Sequence, residues 1–419
     1  MRPLIRTGVL SIAILGLIAP LTQARADVPE TIKIGVTAPL SGPGAQSGLS
    51  LQTGMKLAAD IANEKGGIQV GGKRAKVEVV FEDDQSNPAA GVNAALKLLT
   101  QEKVNFLIGD AFRSDVTLAV MDLAPQFNVT IMSGEPVAAS ISQKIAKDPK
   151  KYANFWKGNW SSDSYAGAIY ESVMDLVKAG KIDPKNKTVA FVSEDTEYGR
   201  TISELTGQAF EKAGWKQLDI ETVPLGTSDL YPQLNKIKAM NPALVMGTFT
   251  STESGSALVK QFHELGMNAT LAGIYFPNRP DFMKAAGKSA DGLLWATLLY
   301  DPIHNREQAK FAAFAEQRLH QKPNYDIVAG YDIMSVALEA ISKAGSLDAA
   351  AVDKAMASMN YKSVLGRYAF DSANHTVKVG ANYIPVPVAQ VINGESYVIW
   401  PGTVATHAFE PQTWAKGAK

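Results

Sequence analysis

Thr31-Ile32-Lys33-Ile34-Gly35-Val36-Thr37 runs directly into Ala38-Pro39-Leu40-Ser41-Gly42-Pro43-Gly44, and this pairing of a β-branched run with a glycine-rich turn sets the grammar of the chain. A helical stripe follows, with Leu51, Met55, Ala58 and Ile61 three and four residues apart. The same unit recurs to about Ala272. Strands are predicted at 32–37, 76–81, 106–109, 130–132, 188–193, 218–223, 243–247 and 270–272. Between them lie stripes such as Val92, Ala95 and Leu99, or Ala257, Val259, Phe262 and Leu265. Parallel strands need crossover helices, so the alternation implies an α/β chain of doubly wound parallel sheets covered on both faces.

The rhythm breaks between Gln143 and Trp160, where four lysines surround Asp148-Pro149 ahead of Asn154-Phe155-Trp156-Lys157. That break is read as a crossing into a second lobe, which restarts with a helix at 162–179. Later helices are predicted at 306–320, 329–343 and 349–357, followed by short strands between Gly366 and Trp400. A chain of 419 residues exceeds the size at which one core keeps growing, about 250 to 300 residues, so two lobes are expected. The division reads 27–153 plus about 276–365 for the first lobe, and 154–275 plus about 366–419 for the second. No low-complexity tether separates them, which points to a hinge of several strand-like crossings.

Upstream, Arg2 and Arg6 precede an apolar run from Gly8 to Leu21 and then Gln23-Ala24-Arg25-Ala26. A basic flank, a short apolar core and small residues at 24 and 26 read as a signal peptide over 1–26, cut before Asp27. The run, interrupted by Pro20, is shorter than the roughly 20 residues a spanning helix needs. The chain is therefore read as exported and free in a periplasm.

Composition excludes several classes. Lys and Arg number 41 and Asp and Glu 41, with no basic cluster, so nucleic acid is a poor partner. The chain has no cysteine, which removes disulfides, thiolate metal sites, a Cys nucleophile and a lipid-bearing Cys. Its five histidines are scattered, so no metal and no cofactor are expected. No Gly-x-Ser-x-Gly, His-Glu-x-x-His or Gly-x-Gly-x-x-Gly stands in a fitting context, so no catalytic residue is assigned. Glu82-Asp83-Asp84 could pose as an acid pair, but adjacent turn residues point apart, and capping or solvation is the plainer reading.

In open parallel sheets ligands sit beyond the carboxyl ends of the strands. The loop from Ala38 to Gly48 is either a simple turn or, through its glycines and hydroxyls, a cradle for an anion. Asp110-Ala111-Phe112-Arg113-Ser114-Asp115 leads into a helix whose natural cap is Ser114. There Arg113 either grips a guest carboxylate or pairs with Asp110 or Asp115. Ser133-Gly134-Glu135 offers a hydroxyl, a flexible backbone and an acid. Facing loops bring Tyr198, Phe249 with Thr250, and Tyr275, three rings that favour a shared apolar wall. Trp160 either closes the side or packs the hinge.

Several of these segments form an ordered set: Ile32 to Val36 with Pro39-Leu40-Ser41-Gly42, Asn63-Glu64-Lys65-Gly66-Gly67-Ile68, Glu82-Asp83-Asp84-Gln85-Ser86-Asn87-Pro88, Ile108-Gly109 and Glu197-Tyr198-Gly199. The set resembles the periplasmic Leu/Ile/Val-binding-protein family over essentially all of the chain past the leader. The resemblance implies a monomeric solute receptor of an ABC importer, two α/β lobes joined by three crossings, and an inner-membrane permease as partner. It places the loop of Ser47 over the ligand, sets the loops of Arg113-Ser114 and Ser133-Gly134-Glu135 around its carboxylate, and lays Tyr198 across it. The loop of Phe249 and Thr250 matches a position that often bears an aromatic. Two departures stand out. Tyr275 occupies the place where amino-acid-binding members set an acid for the ammonium, and Arg113 replaces a small hydroxyl residue. Both suit a small organic acid, including an aromatic one, better than a zwitterion, although Glu135, Asp195 or Glu253 could restore the charge for an amino acid or amide. A sensory module for a membrane kinase and an exported hydrolase are the other classes considered.

Overall fold

Ile32, Ile34 and Val36 have no exposed surface, Gly35 is buried and Lys33 is half-buried, as expected for a strand in the middle of a sheet with helices on both faces. The computed structural model describes residues 29–279, 281–412 and 414; the expected leader at 1–26 lies outside them. The first sheet consists of β1 (Thr31–Ala38), β2 (Ile68–Val70), β3 (Lys73–Asp83), β4 (Phe106–Ile108), β5 (Thr130–Ser133) and β6 (Phe155–Lys157), in the order β2-β3-β1-β4-β5-β6. All neighbours run parallel except β2, which turns back on β3 as a hairpin.

The second sheet gathers β7 (Thr188–Glu194), β8 (Lys216–Val223), β9 (Leu244–Phe249), β10 (Thr270–Tyr275) and β11 (Leu294–Ala296). Past a two-residue ribbon of β12 (Tyr361–Lys362) and β13 (Arg367–Tyr368), it is completed by β14 (Val388–Ile392) and β15 (Glu395–Trp400), in the order β15-β14-β11-β10-β9-β7-β8. The parallel block β8 to β11 ends in an antiparallel hairpin.

Several expectations need correction. Asn154 to Lys157 is not itself the crossing. The helix Ala139–Lys147 occupies only the start of the predicted break, and Phe155 and Trp156, both buried, make β6 the edge of the first sheet before the chain leaves it. The return to the first lobe does not fall at about 276, because β11 pairs with β10 and the segment 276–290 packs on the helix Thr252–Glu264. Nor does the last passage fall at about 366: Trp156 stacks on His375 at 4.1 Å, which keeps that stretch with β6, and the chain rejoins the second sheet only at β14. Apolar periodicity marked these segments but did not say which sheet each would cover. The helix predicted at 329–343 begins earlier, at Tyr325, with the Asn324 side chain accepting the Ile327 amide as its cap.

Motif residues do local work here. The Asn87 side chain accepts the Ala89 and Ala90 amides and Pro88 opens the helix Pro88–Thr100, so Ser86-Asn87-Pro88 is a helix start. The helices Ala45–Glu64 and Tyr325–Ala344 cross in near backbone contact. A Cβ on Gly54 would lie 1.8 Å from the Ile327 carbonyl oxygen, and one on Gly330 would lie 2.2 Å from that of Leu51. This crossing ties a late helix to the first lobe. Gly54→Ala should therefore destabilise the protein by about 1 to 3 kcal/mol through overpacking, measured by urea unfolding; an unchanged midpoint would show that the helices slide apart freely.

Candidate functional site

A narrow cavity of about 40 Å³ lies where the carboxyl ends of the two sheets face each other. From the first lobe come Phe112, Arg113, Ser114 and Asp115 after β4, Glu135, Pro136 and Val137 after β5, Asn159 after β6, and Tyr325 at the head of its helix. The second lobe adds Tyr165 in the helix Ser162–Lys178, Thr196 and Tyr198 after β7, Thr250 after β9, and Tyr275 at the end of β10. Each loop begins where a strand runs out of ladder partners, which is why parallel sheets collect side chains at this edge.

Of the residues singled out in the sequence, Arg113, Ser114, Glu135, Tyr198, Thr250 and Tyr275 line this cavity. Ser47, Ser133, Gly134, Trp160 and Phe249 do not. Ser47 is buried behind the wall, where its hydroxyl meets the Arg279 guanidinium. The Ser133 hydroxyl accepts the Gly158 amide at 3.3 Å, holding the loops of β5 and β6 together. Gly134 lies against Ala111, whose carbonyl oxygen would be 2.4 Å from an added Cβ. Trp160 stands behind the wall with its ring edge on Tyr165 at 5.5 Å. Alternation along β9 turns Phe249 away from the cavity into the second core, against Phe276.

Arg113 does not leave the helix start to a serine cap. It occupies the cap position of the helix Ser114–Val120 itself, while the Ser114 hydroxyl accepts the Ala138 amide at 3.2 Å. Its guanidinium forks onto Asp115 at 2.9 and 2.6 Å, and its own amide donates to Asp110 at 2.6 Å. Glu194 of the second lobe, held by the Thr250 hydroxyl at 2.6 Å, faces Arg113 across the gap, and burial raises its carboxyl above the usual range. The loop at Ala38 to Gly48 finds its anion within the protein, since the Asp83 carboxylate accepts the Leu40, Ser41 and Gln85 amides.

An acid pair does exist, but across the sheet. Asp84 and Asp110 are fully buried and close enough for each to act on the other's carboxyl. Oδ2 of Asp84 and Oδ1 of Asp110 have no hydrogen-bond partner among the described residues. Burial pushes Asp84 up to about 6 and Asp110 well above its usual range.

Sequence reasoning missed the network behind the wall. Arg279 and Asp326, each about 1 % exposed, form a two-pronged ion pair at 2.6 and 2.5 Å. Arg279 follows β10 in the second lobe, whereas Asp326 opens a first-lobe helix, so the pair joins the lobes. The Tyr275 hydroxyl lies among them, receiving Arg279 at 2.7 Å and reaching Glu135 at 3.1 Å and Asp326 at 3.2 Å. Tyr275 takes a φ of 74°, a conformation that costs on the order of 1 to 3 kcal/mol and is held here by those contacts. Burial first, then the nearby Asp326, push the Glu135 carboxyl well above its usual range, with Arg279 opposing.

Comparison with known proteins agrees with the fold. Residues 31–394 match the periplasmic binding protein family. A Leu/Ile/Val-binding protein homologue of Brucella melitensis is 27 % identical over 326 residues, covering 78 % of this chain and 83 % of that protein. A solute-binding protein of Rhodopseudomonas palustris, solved with 3,4-dihydroxybenzoic acid, superposes with a TM-score of 0.74 at 23 % identity, covering 91 % of this chain and 99 % of that one. A branched-chain amino acid transporter binding protein of Streptococcus pneumoniae, solved with isoleucine, gives a TM-score of 0.72 at 21 % identity, with coverage of 87 % and 97 %.

Two measurements test the network. Asp326→Asn should lower stability by about 3 to 5 kcal/mol by leaving Arg279 charged and unpaired, and Arg279→Met with Asp326→Leu should recover most of that loss in denaturant titrations. The Asp84 shift has a definite sign: the folded state binds the proton more tightly, so its stabilisation is complete below pH 4 and is lost as pH rises through about 6. Between pH 4 and pH 7 the wild type should lose on the order of 2 kcal/mol more than Asp84→Asn, whose amide stays neutral; parallel curves would contradict the raised Asp84 carboxyl. With its sheets, its facing loops and a match spanning 31–394, the chain belongs to the periplasmic binding protein family, a family of solute-binding proteins rather than enzymes.

Proposed function

We propose that the protein is the periplasmic receptor of an ABC importer, and that it holds a small organic acid with a flat apolar body, an aromatic carboxylate, in the cavity between the lobes. The carrying observation is the wall itself. Phe112, Tyr165, Tyr198, Tyr275 and Tyr325 surround the space, and Arg113 is the cation on its rim. Such rings bury a planar guest at little entropic cost and prefer edge-to-face contacts like that of Tyr198 on Tyr275, 6.3 Å between centroids.

Charge supports an acid over a zwitterion. Arg279 is matched by Asp326 and Arg113 by Asp115. Burial biases Glu135, Glu194 and the Asp84–Asp110 pair toward their neutral forms, which removes repulsion that an incoming carboxylate would otherwise meet. An ammonium would need an ionised acid at the wall, and at the position expected for one stands Tyr275. The neighbour that carries dihydroxybenzoic acid on the same fold is consistent with this choice.

The mechanism is a shift of population. Contacts to both lobes exist only when they are together, so a guest favours closure by its differential affinity, and the closed face is what a permease recognises. No covalent step is involved. Calorimetry with aromatic acids, aliphatic acids and amino acids tests the reading. Arg113→Ala should weaken binding of the preferred acid by roughly 1.5 to 3 kcal/mol through loss of a charged hydrogen bond. An unchanged affinity would remove Arg113 from the site, and recovery of a chemically altered guest would overturn the receptor itself.

A further inference from the structure

Several polar atoms of the cavity wall are spoken for. Ser114 accepts the Ala138 amide, Thr196 accepts the Gly199 amide, and Thr250 donates to Glu194. The Asn159 amide donates to the Glu135 carbonyl and its oxygen accepts the Trp160 amide. Two wall atoms differ. Among the described residues, Oε1 of Glu135 and the hydroxyl of Tyr198 are buried and have no hydrogen-bond partner. Glu135 is only 7 % exposed, and its other oxygen is already taken by Tyr275. A buried polar atom left unmatched is costly, and a guest that matches it gains the difference.

We propose that Glu135 is the specificity residue of this cavity, reading a hydroxyl on the ring, so that the preferred solute is a hydroxylated aromatic acid. This rests on the aromatic-acid reading of the same cavity. A protonated carboxyl presents one donor and one acceptor, which is the complement of a phenol; an ammonium would require the carboxylate, which burial disfavours at Glu135. Both unmatched groups adjoin Tyr275, Glu135 through the hydrogen bond at 3.1 Å and Tyr198 through ring contact at 6.3 Å. They also come from opposite lobes. A hydroxyl that satisfies them both therefore makes contacts available only in the closed form, and specificity and closure become one event.

Isothermal titration of benzoate, 3-hydroxybenzoate, 4-hydroxybenzoate and phenylalanine into the wild-type protein tests this. At least one hydroxybenzoate should bind about tenfold more tightly than benzoate, as expected for one matched hydrogen bond. Glu135→Met should bring that ratio close to one, and Glu135→Gln, which keeps a donor and an acceptor, should restore most of it. Equal affinities for benzoate and both hydroxybenzoates, or a ratio that survives Glu135→Met, overturns the inference. The wild-type ratio decides alone should Glu135→Met fail to fold, as judged by its circular dichroism. Tightest binding of phenylalanine, abolished by Glu135→Gln, would assign Glu135 to an ammonium instead. A wild type that binds none of the three acids overturns the aromatic-acid reading itself, and this inference with it.

Discussion

Arg279 and Asp326 carry full opposite charges in a place with almost no access to water, and the site is arranged around that fact. Desolvating two ions is unfavourable unless the geometry is two-pronged and the remaining donors are satisfied. Here the guanidinium holds both oxygens of Asp326, the Ser47 hydroxyl and the Tyr275 hydroxyl, with the Tyr275 ring 4.6 Å beneath it, and only its buried Nε lacks a partner among the described residues. Each partner thereby fixes another: Tyr275 is held in its left-handed backbone conformation, and its hydroxyl in turn fixes Glu135. The wall of the cavity is thus built from second-lobe atoms pinned by a first-lobe acid.

The two sheets supply the frame for that pairing. In both, the parallel strands end on the same side, so loops from β4, β5, β7, β9 and β10 converge without any of them being long. The close crossing at Gly54 and Gly330 then seats the helix Tyr325–Ala344 on the first lobe, which is what places Asp326 opposite Arg279. A shift of that helix by one turn, about 5.4 Å, would carry the acid out of reach.

Much of this was legible in the sequence because it is governed by short-range rules. Strand positions followed from β-branched runs between turns, and the cavity edge followed from parallel topology. The misses share a cause, which is that distance in sequence hides who faces whom. Phe249 and Thr250 are adjacent, yet one enters the core and the other the cavity. Asp84 was read beside Asp83, but the acid that acts on it is Asp110, on the far side of β1. A usable signal did exist for the buried acids: Asp326 and Asp332 sit in a helix otherwise apolar nearly all round, and such acids need partners, which Arg279 and the Val364 and Leu365 amides provide. What no local rule could supply was the identity of the arginine, 47 residues upstream in the other lobe.

A receptor whose lobes are joined by its own ion pair divides the work of closure between protein and guest. Opening would return Arg279 and Asp326 to water, which rewards both ions with hydration and offsets much of the attraction lost, so the pair fixes the register of closure more than it drives it. The drive then has to come from contacts that only a guest supplies. On the proposed reading those are the rings, Arg113 on the rim and the two unmatched oxygens at Glu135 and Tyr198. A ligand that touched only one lobe would bind without shifting the balance, however tightly it bound. Closure that depends on both lobes therefore follows from where the unmatched groups sit.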